Sequence, residues 1–281
     1  MPTLHGAIAA AVTPLADGGS RIDEDAIPRL ARFLFDGGVD GVLTCGTTGE
    51  GMLLTMAERR RVTELFLASR RKGFHVVVHA GAQTTADTTA LSAHAVEHGA
   101  DAVAVIAPPY FPLDGEELFR HFANAAGACA PLPFYAYEFE QRSGYPIPVD
   151  LIHRLRAEVA NFAGLKVSDQ PFEAVARYLL DGVDVFVGNE RLVLEGLRAG
   201  AVGSVSGLAS AWPGVVRDLV HRRAETAHGR VCELRDALSR LPFHAALKTS
   251  LAHRGILNDD DVRAPLRGLT DPERSRVRAL G

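Results

Sequence analysis

Cysteine is scarce in this 281-residue chain: Cys45, Cys129 and Cys232 are an odd, widely spaced set. That count makes neither a disulfide framework nor a paired zinc knuckle. Long apolar runs are missing too, since none reaches the roughly 18 residues needed to span a bilayer. The opening residues, Met1-Pro2-Thr3-Leu4-His5-Gly6, lack the basic and apolar blocks of a secretory signal. A soluble cytoplasmic protein is the expectation. Nor is there an excess of one charge, because 30 Lys+Arg stand against 34 Asp+Glu for a formal net charge of -4. A near-even balance argues against a nucleic-acid backbone or an anionic membrane as the main partner, since either favours a basic face. No low-complexity stretch or Pro/Gly/Ser linker divides the chain.

What is present is one repeating unit: a short apolar run, a polar turn, then an amphipathic segment. The runs are Gly6–Val12, Gly41–Cys45, His75–Ala80, Ala102–Ala107, Leu132–Tyr137, Phe162–Val167, Val183–Val187 and Ala201–Ser206. Several are nearly continuous in Val, Ile, Ala, Phe and Leu, as parallel strands covered on both faces require. Between them Asp23–Asp36, Thr55–Lys72, Thr84–His98, Asp114–Cys129, Val149–Glu158, Pro171–Leu180 and Glu190–Ala199 read as helices. Thr55 with Glu58 forms a capping-box start, and Gly37, Gly73, Gly99, Gly182 and Gly200 stand where helices should stop. Eight such strands in succession predict a (β/α)8 TIM barrel over residues 1–210. Residues 211–281 form a C-terminal helical extension that includes the last barrel helix, in one structural unit. An open dinucleotide-binding sheet would need Gly-x-Gly-x-x-Gly after its first strand, where this chain has Thr13-Pro14-Leu15-Ala16-Asp17-Gly18-Gly19.

A barrel places its active site at the C-terminal ends of the strands. The second run ends in Cys45-Gly46-Thr47-Thr48-Gly49-Glu50. Two glycines bracketing two hydroxyls read either as a cradle for a small anion or as a plain tight turn. The fourth run ends near Tyr110, and the fifth carries Tyr135 and Tyr137 on one side by the period of two. Each of these tyrosines reads equally well as packing. The sixth, Asn161-Phe162-Ala163-Gly164-Leu165-Lys166-Val167-Ser168, ends an apolar strand with a lone lysine. Lys166 either snorkels to solvent or stays inside, where burial disfavours the ammonium form and readies it as a Schiff-base nucleophile. His94 and His98 stand one helical turn apart, but no third ligand at metal spacing is evident, so no metal is expected.

Gly46-Thr47-Thr48-Gly49-Glu50, Tyr110, Tyr135 and Gly164-Leu165-Lys166, in that order, resemble the dihydrodipicolinate synthase / N-acetylneuraminate lyase family. The resemblance runs from about Gly6 into the C-terminal helices, and the loop together with the lysine is specific to the family rather than to one substrate. It implies a pyruvate-dependent class I aldolase or lyase on a TIM barrel, in which Lys166 condenses with the pyruvate ketone. Tyr135 would shuttle protons, with Thr47 relaying them to Tyr110 of a neighbouring subunit. Thr47 and Thr48 would hold the pyruvate carboxylate, and Gly188 and Val205 would line the pocket. The lysine serves as electron sink, so neither metal nor organic cofactor is called for. The partners implied are pyruvate and an aldehyde or second 2-oxo acid, within a homotetramer built from dimers. Glu50 would hold its loop or a subunit contact, and Cys45 would be a small wall residue.

The chain departs from the family pattern at the acceptor end. Synthases typically read Tyr-Asn-Val-Pro-x-Arg-Thr-Gly after the fifth strand, with the arginine on the acceptor carboxylate. Here the sequence is Tyr135-Ala136-Tyr137-Glu138-Phe139-Glu140-Gln141-Arg142-Ser143-Gly144. Starting from Tyr135 without a gap puts Glu140 at the arginine's place, whereas a longer loop puts Arg142 there, and the Gly144 anchor favours Arg142. The usual Asn-Pro-Ile-Pro-Val-Lys is Phe243-His244-Ala245-Ala246-Leu247-Lys248, and Met56, Arg59 and Gln83 stand at candidate positions of a lysine-feedback site. A 4-hydroxy-tetrahydrodipicolinate synthase-like enzyme, a sugar-acid or N-acetylneuraminate-type lyase, and a non-catalytic 2-oxo-acid-binding barrel are the expectations. The last is disfavoured because the lysine, tyrosines and threonine are all retained.

Overall fold

The computed structural model describes residues 4–281, so Met1-Pro2-Thr3 of the opening segment lie outside the described residues. Ten strands run along the chain: β1 (Gly6–Ala10), β2 (Leu15–Ala16), β3 (Arg21–Ile22), β4 (Gly41–Thr44), β5 (His75–His79), β6 (Ala102–Ile106), β7 (Phe134–Glu138), β8 (Phe162–Val167), β9 (Asp184–Val187) and β10 (Gly203–Ser206). Eight of them close a parallel barrel in the order β1-β10-β9-β8-β7-β6-β5-β4. The expected TIM barrel is what the chain forms. The two short strands β2 and β3 pair antiparallel in the loop after β1, a hairpin that the alternating pattern did not announce.

Helices α1 (Ala26–Asp36), α2 (Met56–Ala68), α3 (Thr85–Glu97), α4 (Gly115–Cys129), α5 (Glu140–Ser143), α6 (Val149–Glu158), α7 (Phe172–Ala176) and α8 (Val193–Arg198) follow. The C-terminal part adds α9 (Pro213–Arg222), α10 (Glu225–Leu238), α11 (Phe243–His253) and α12 (Asp271–Arg278). The Thr55 capping box is present, with Thr55 accepting from the Glu58 backbone and Glu58 accepting from that of Thr55. The helix expected over Pro171–Leu180 is shorter, because only Phe172–Ala176 winds into α-helix. Among the described residues no helix is long and apolar enough to cross a membrane.

Alternation along each strand divides the core in two. Outward side chains such as Ala7, Ala9, Val42, Val76 and Val103 pack against the helices. Inward ones, including Ile8, Ala10, Leu43, Val77, Ala104, Tyr135, Phe186 and Val205, fill the barrel. The lower interior is plugged by Tyr135 and Phe186, whose rings meet edge to face at 5.7 Å. Near the C-terminal rim small residues, Ala10 and Gly188 among them, leave the interior open beside Tyr137 and Lys166. Residues 211–281 pack onto the barrel. Trp212 Nε1 donates to the Gly281 carbonyl at 2.7 Å, while α10 and α11 bring Arg235, Phe243 and His244 over the mouth.

Candidate active site

The mouth holds a cavity of about 260 Å³. Lys166 rises into it from β8, with only 6% of its surface exposed. No hydrogen bond or ion pair joins its Nζ to a described residue, so the ammonium group has no built-in carboxylate partner. Strand pairing decides what stands beside it. In the β7–β8 register Tyr137 lies opposite Lys166 and Tyr135 lies opposite Gly164. Lys166 Nζ consequently sits 3.9 Å from the centre of the Tyr137 ring. The Tyr137 hydroxyl in turn is 3.1 Å from Thr47 Oγ1, a hydrogen bond across the barrel mouth.

Tyr135, the tyrosine expected to shuttle protons, is elsewhere. Two residues earlier on the same inward face, it lines a small apolar void with Leu4, Ile8, Leu43 and Phe186, a void that Lys166 also lines. Its buried hydroxyl has no well-formed hydrogen bond to a described residue, and burial, with Asp184 beside it, makes it a weaker acid than an ordinary tyrosine. The partner of Thr47 is Tyr137. A signal for this stood in the chain: read from Tyr137, the family spacing places Arg142, Ser143 and Gly144 in register with no longer loop.

The Gly46–Glu50 loop is built to hold its hydroxyls still. Thr13 Oγ1 donates to the Gly49 carbonyl at 2.6 Å, and the Gly51 amide donates to that of Gly46 at 3.1 Å. Cys45 and Glu50 bracket the turn at φ 54° and 56°, left-handed conformations that non-glycine residues rarely adopt. Glu50 is anchored rather than reactive. Its carboxylate meets Lys248 Nζ at 2.5 Å and accepts from the Arg263 amide at 2.6 Å, while Lys248 also donates to the Asp261 carbonyl at 2.6 Å. His244 Nε2 donates to the Thr47 carbonyl at 2.9 Å, so α11 fixes the loop at a second point. Neither His244 nor Lys248 was singled out as a loop anchor from sequence, since each meets its partner across almost two hundred residues.

Behind the loop, His79 is fully enclosed. Its Nδ1–H donates to the Cys45 carbonyl at 3.1 Å, and its Nε2 accepts from the Ile106 amide at 3.4 Å. Burial, with Arg59 and Lys166 adding positive charge, lowers its pKa to about 3, so the ring is neutral. It stands edge-on to Tyr137 at 5.9 Å. Arg59, at a position considered for feedback, is buried and donates to the His79 and Gly81 carbonyls at 2.7 and 2.9 Å. Cys45 is also buried, which raises its thiol pKa and keeps it an inert wall.

The remaining expected residues divide into two groups. Thr48, Gly188 and Val205 all line the cavity. Gly188 has a steric reason, because a Cβ there would come within 3.1 Å of Lys166 Cε and 2.2 Å of Ser168 Oγ. Arg142 projects from α5 into the mouth with its guanidinium 5.7 Å from the Phe139 ring centre, whereas Glu140 does not line the cavity. Tyr110 is not brought to Thr47 within this chain. It is 83% exposed at φ 85°, perpendicular to the also exposed Phe111 at 4.8 Å.

A parallel eight-stranded barrel with a lysine, a tyrosine and a hydroxyl loop converging at its C-terminal mouth defines the protein as a (β/α)8-barrel lyase. The comparisons with known proteins agree: a model described as the dihydrodipicolinate synthetase family matches residues 3–280, and the chain belongs to that family. It is 32% identical over 285 residues to the 4-hydroxy-tetrahydrodipicolinate synthase of Syntrophus aciditrophicus, covering 98% of this chain and 96% of that one. The dihydrodipicolinate synthase structure from Aquifex aeolicus superposes with a TM-score of 0.91 at 28% identity, over 99% and 97% of the two chains. The Proteus mirabilis N-acetylneuraminate lyase does so at 0.89 and 27%, with the same coverages.

Proposed function

We propose that the protein is a class I aldolase in which Lys166 forms a Schiff base with pyruvate or a close 2-oxo acid. The observation that carries this reading is the buried, unpaired Lys166 Nζ 3.9 Å from the Tyr137 ring, whose hydroxyl hydrogen-bonds Thr47. The free amine attacks the ketone carbon, and loss of water leaves an imine. The cationic nitrogen of the protonated imine withdraws electrons, so a proton leaves the methyl carbon and an enamine forms. The enamine carbon then adds to an aldehyde carbonyl, whose oxygen takes a proton; the reverse sequence is cleavage. Tyr137, in place of Tyr135, is the group that carries protons at the imine and the new alcohol, and Thr47 orients its hydroxyl. The amides and hydroxyls of Thr47 and Thr48 receive the carboxylate of the 2-oxo acid. The lysine supplies the electron sink, so the reaction needs no cofactor.

The acceptor enters past Arg142, whose guanidinium has no ion pair with a described residue and suits a carboxylate on the incoming aldehyde. That favours a synthase-like reaction with a short semialdehyde acid. A second reading, a sugar-acid lyase, is supported by the polar rim of Gln141, Gln170, Asn189 and Arg235, which offers donors to several hydroxyls. The projecting Tyr110–Phe111 pair supports an oligomer in which these rings enter a second copy, as in the expected tetramer of dimers, and cytoplasmic residence fits the small-molecule chemistry.

The half-reaction can be tested without knowing the acceptor. Pyruvate incubated with enzyme in deuterium oxide should lose its methyl proton signal by exchange through the enamine. The loss should vanish in Lys166→Ala. Exchange that persists in Lys166→Ala, or that never occurs with pyruvate or 2-oxobutyrate, would contradict the assignment.

A further inference from the structure

The outer helical layer holds a cluster that the barrel chemistry does not use. α3 presents His94 and His98 one turn apart, and α2, packed alongside, presents Glu64 to both. His94 Nε2 is 3.1 Å from Glu64 Oε1, and His98 Nε2 is 3.9 Å from the same oxygen. One ligand atom from each of the three residues falls within 4.8 Å of the others. A tetrahedral ion with bonds of about 2.0–2.1 Å sets its ligand atoms about 3.3–3.4 Å apart, and the two distances to Glu64 bracket that spacing. We propose that Glu64, His94 and His98 form a site for a late first-row divalent transition ion, zinc foremost, with the fourth position left to water.

Orientation supports the site. His98 Nδ1–H donates to the His94 carbonyl at 3.0 Å, which puts the free lone pair on Nε2, the atom facing Glu64. Such an outer hydrogen bond is how metal-binding imidazoles are held in the ligating tautomer. At 3.9 Å that Nε2 makes no hydrogen bond to the carboxylate, whereas His94 Nε2, at 3.1 Å, donates to Glu64 and gives up that proton when an ion binds. The two rings lie 4.1 Å apart and tilt by 31°, which lets both turn their Nε2 to one oxygen. The His94 side chain is 10% exposed and that of His98 40%, so the site has a packed side and an open side for entry and for water. Arg60, whose charge acts on His94, and Arg61 are the adverse neighbours, and Arg61 is the one that touches Glu64. Arg61 lies 3.4 Å from the other carboxylate oxygen, but its closer partner is Glu24 at 2.6 Å, and it leaves Oε1 to the histidines. Imidazole with carboxylate suits zinc, cobalt, nickel or copper, whereas calcium and magnesium want oxygen donors throughout.

The ion would pin α2 to α3 and take no part in the aldol step. The test is a zinc titration of the chelator-stripped, full-length protein against a chromophoric chelator, together with thermal melts. One equivalent should bind with a dissociation constant of micromolar or below, and the melting temperature should rise by a few degrees. His98→Ala, an exposed position, should weaken binding at least 30-fold and abolish the melting shift, and Glu64→Gln should weaken it about 10-fold. Pyruvate proton exchange should be unchanged in all of them. A built-in control is the other soft pair, Cys232 Sγ 3.7 Å from His228 Nε2 on α10. If Cys232→Ser removes the binding while His98→Ala does not, or if wild type and His98→Ala bind zinc equally, the assignment is wrong.

Discussion

Tyr135 and Tyr137 share a strand, a residue type and an inward direction, yet one lies in the plugged floor of the barrel and the other in its open mouth. About 6.6 Å of strand rise separates them. Below, Tyr135 meets Leu4, Ile8 and Phe186 and finds no proper partner for its hydroxyl. Above, Tyr137 has Lys166 on its face, His79 perpendicular to its ring and Thr47 on its oxygen. The lesson is that facing inward is not enough in a barrel. Depth along the strand separates a ring that packs the floor from one that reaches Lys166 and Thr47, and the neighbouring strand's register sets that depth.

The sharpest way to break this comparison is to remove each hydroxyl in turn. Tyr137→Phe should lower kcat by about 10²–10⁴, the range for loss of a positioned acid–base group. Tyr135→Phe should change kcat less than about threefold and leave the melting temperature equal or higher, because it deletes an unsatisfied buried polar group. Steady-state kinetics of the two proteins decides it, and the reverse ranking would return the shuttle role to Tyr135.

The mouth also differs from the floor in depending on distant anchors. Lys248→Met strands Glu50 without its cation in a fully buried position, and should cost about 3–5 kcal/mol in chemical denaturation. Pairing it with Glu50→Gln should restore part of that loss, since the uncompensated charge is then gone. Smaller effects belong at the rim. Arg142→Ala should raise the KM of a carboxylate-bearing aldehyde about 10–100-fold while leaving pyruvate proton exchange within about twofold; equal losses in both would place Arg142 in the pyruvate site instead.

The subtlest contrast is electrostatic. Glu138 directly follows Tyr137 but points outward, where burial raises its pKa to about 8 despite the Ile147 amide at 2.9 Å and Arg177 at 3.4 Å. The unfolded chain releases this proton near pH 4.5, whereas the folded protein keeps it to about pH 8. The group's contribution is therefore whole below pH 4.5 and declines as pH rises through that window, by at most about 1.4 kcal/mol per pH unit. Glu138→Gln should flatten that decline. Denaturation of the two proteins from pH 5 to 8.5 checks it, and parallel curves would refute it.

Much of this was legible in the chain. All eight barrel strands show as apolar runs because parallel strands are covered on both sides, and Thr55 with Glu58 marks a helix start by purely local bonding. Lys166 stands out because a lysine has no packing reason to end such a strand. The choice between two tyrosines was different in kind. Period-two reasoning puts both inside, and what separates them is the spacing from Tyr137 to Arg142 and Gly144 together with the pairing of Tyr137 with Lys166. His244 on Thr47 and Lys248 on Glu50 close contacts across almost two hundred residues, and Glu64 joins His94 from another helix. No local pattern carries that information.

The most direct test of the account is to trap the covalent intermediate. Incubation with pyruvate, reduction with borohydride, digestion and mass spectrometry should show the reduced pyruvyl adduct on the peptide carrying Lys166, and none in Lys166→Ala. An unmodified Lys166, or an adduct on another lysine, would contradict the claim that this residue is the Schiff-base nucleophile.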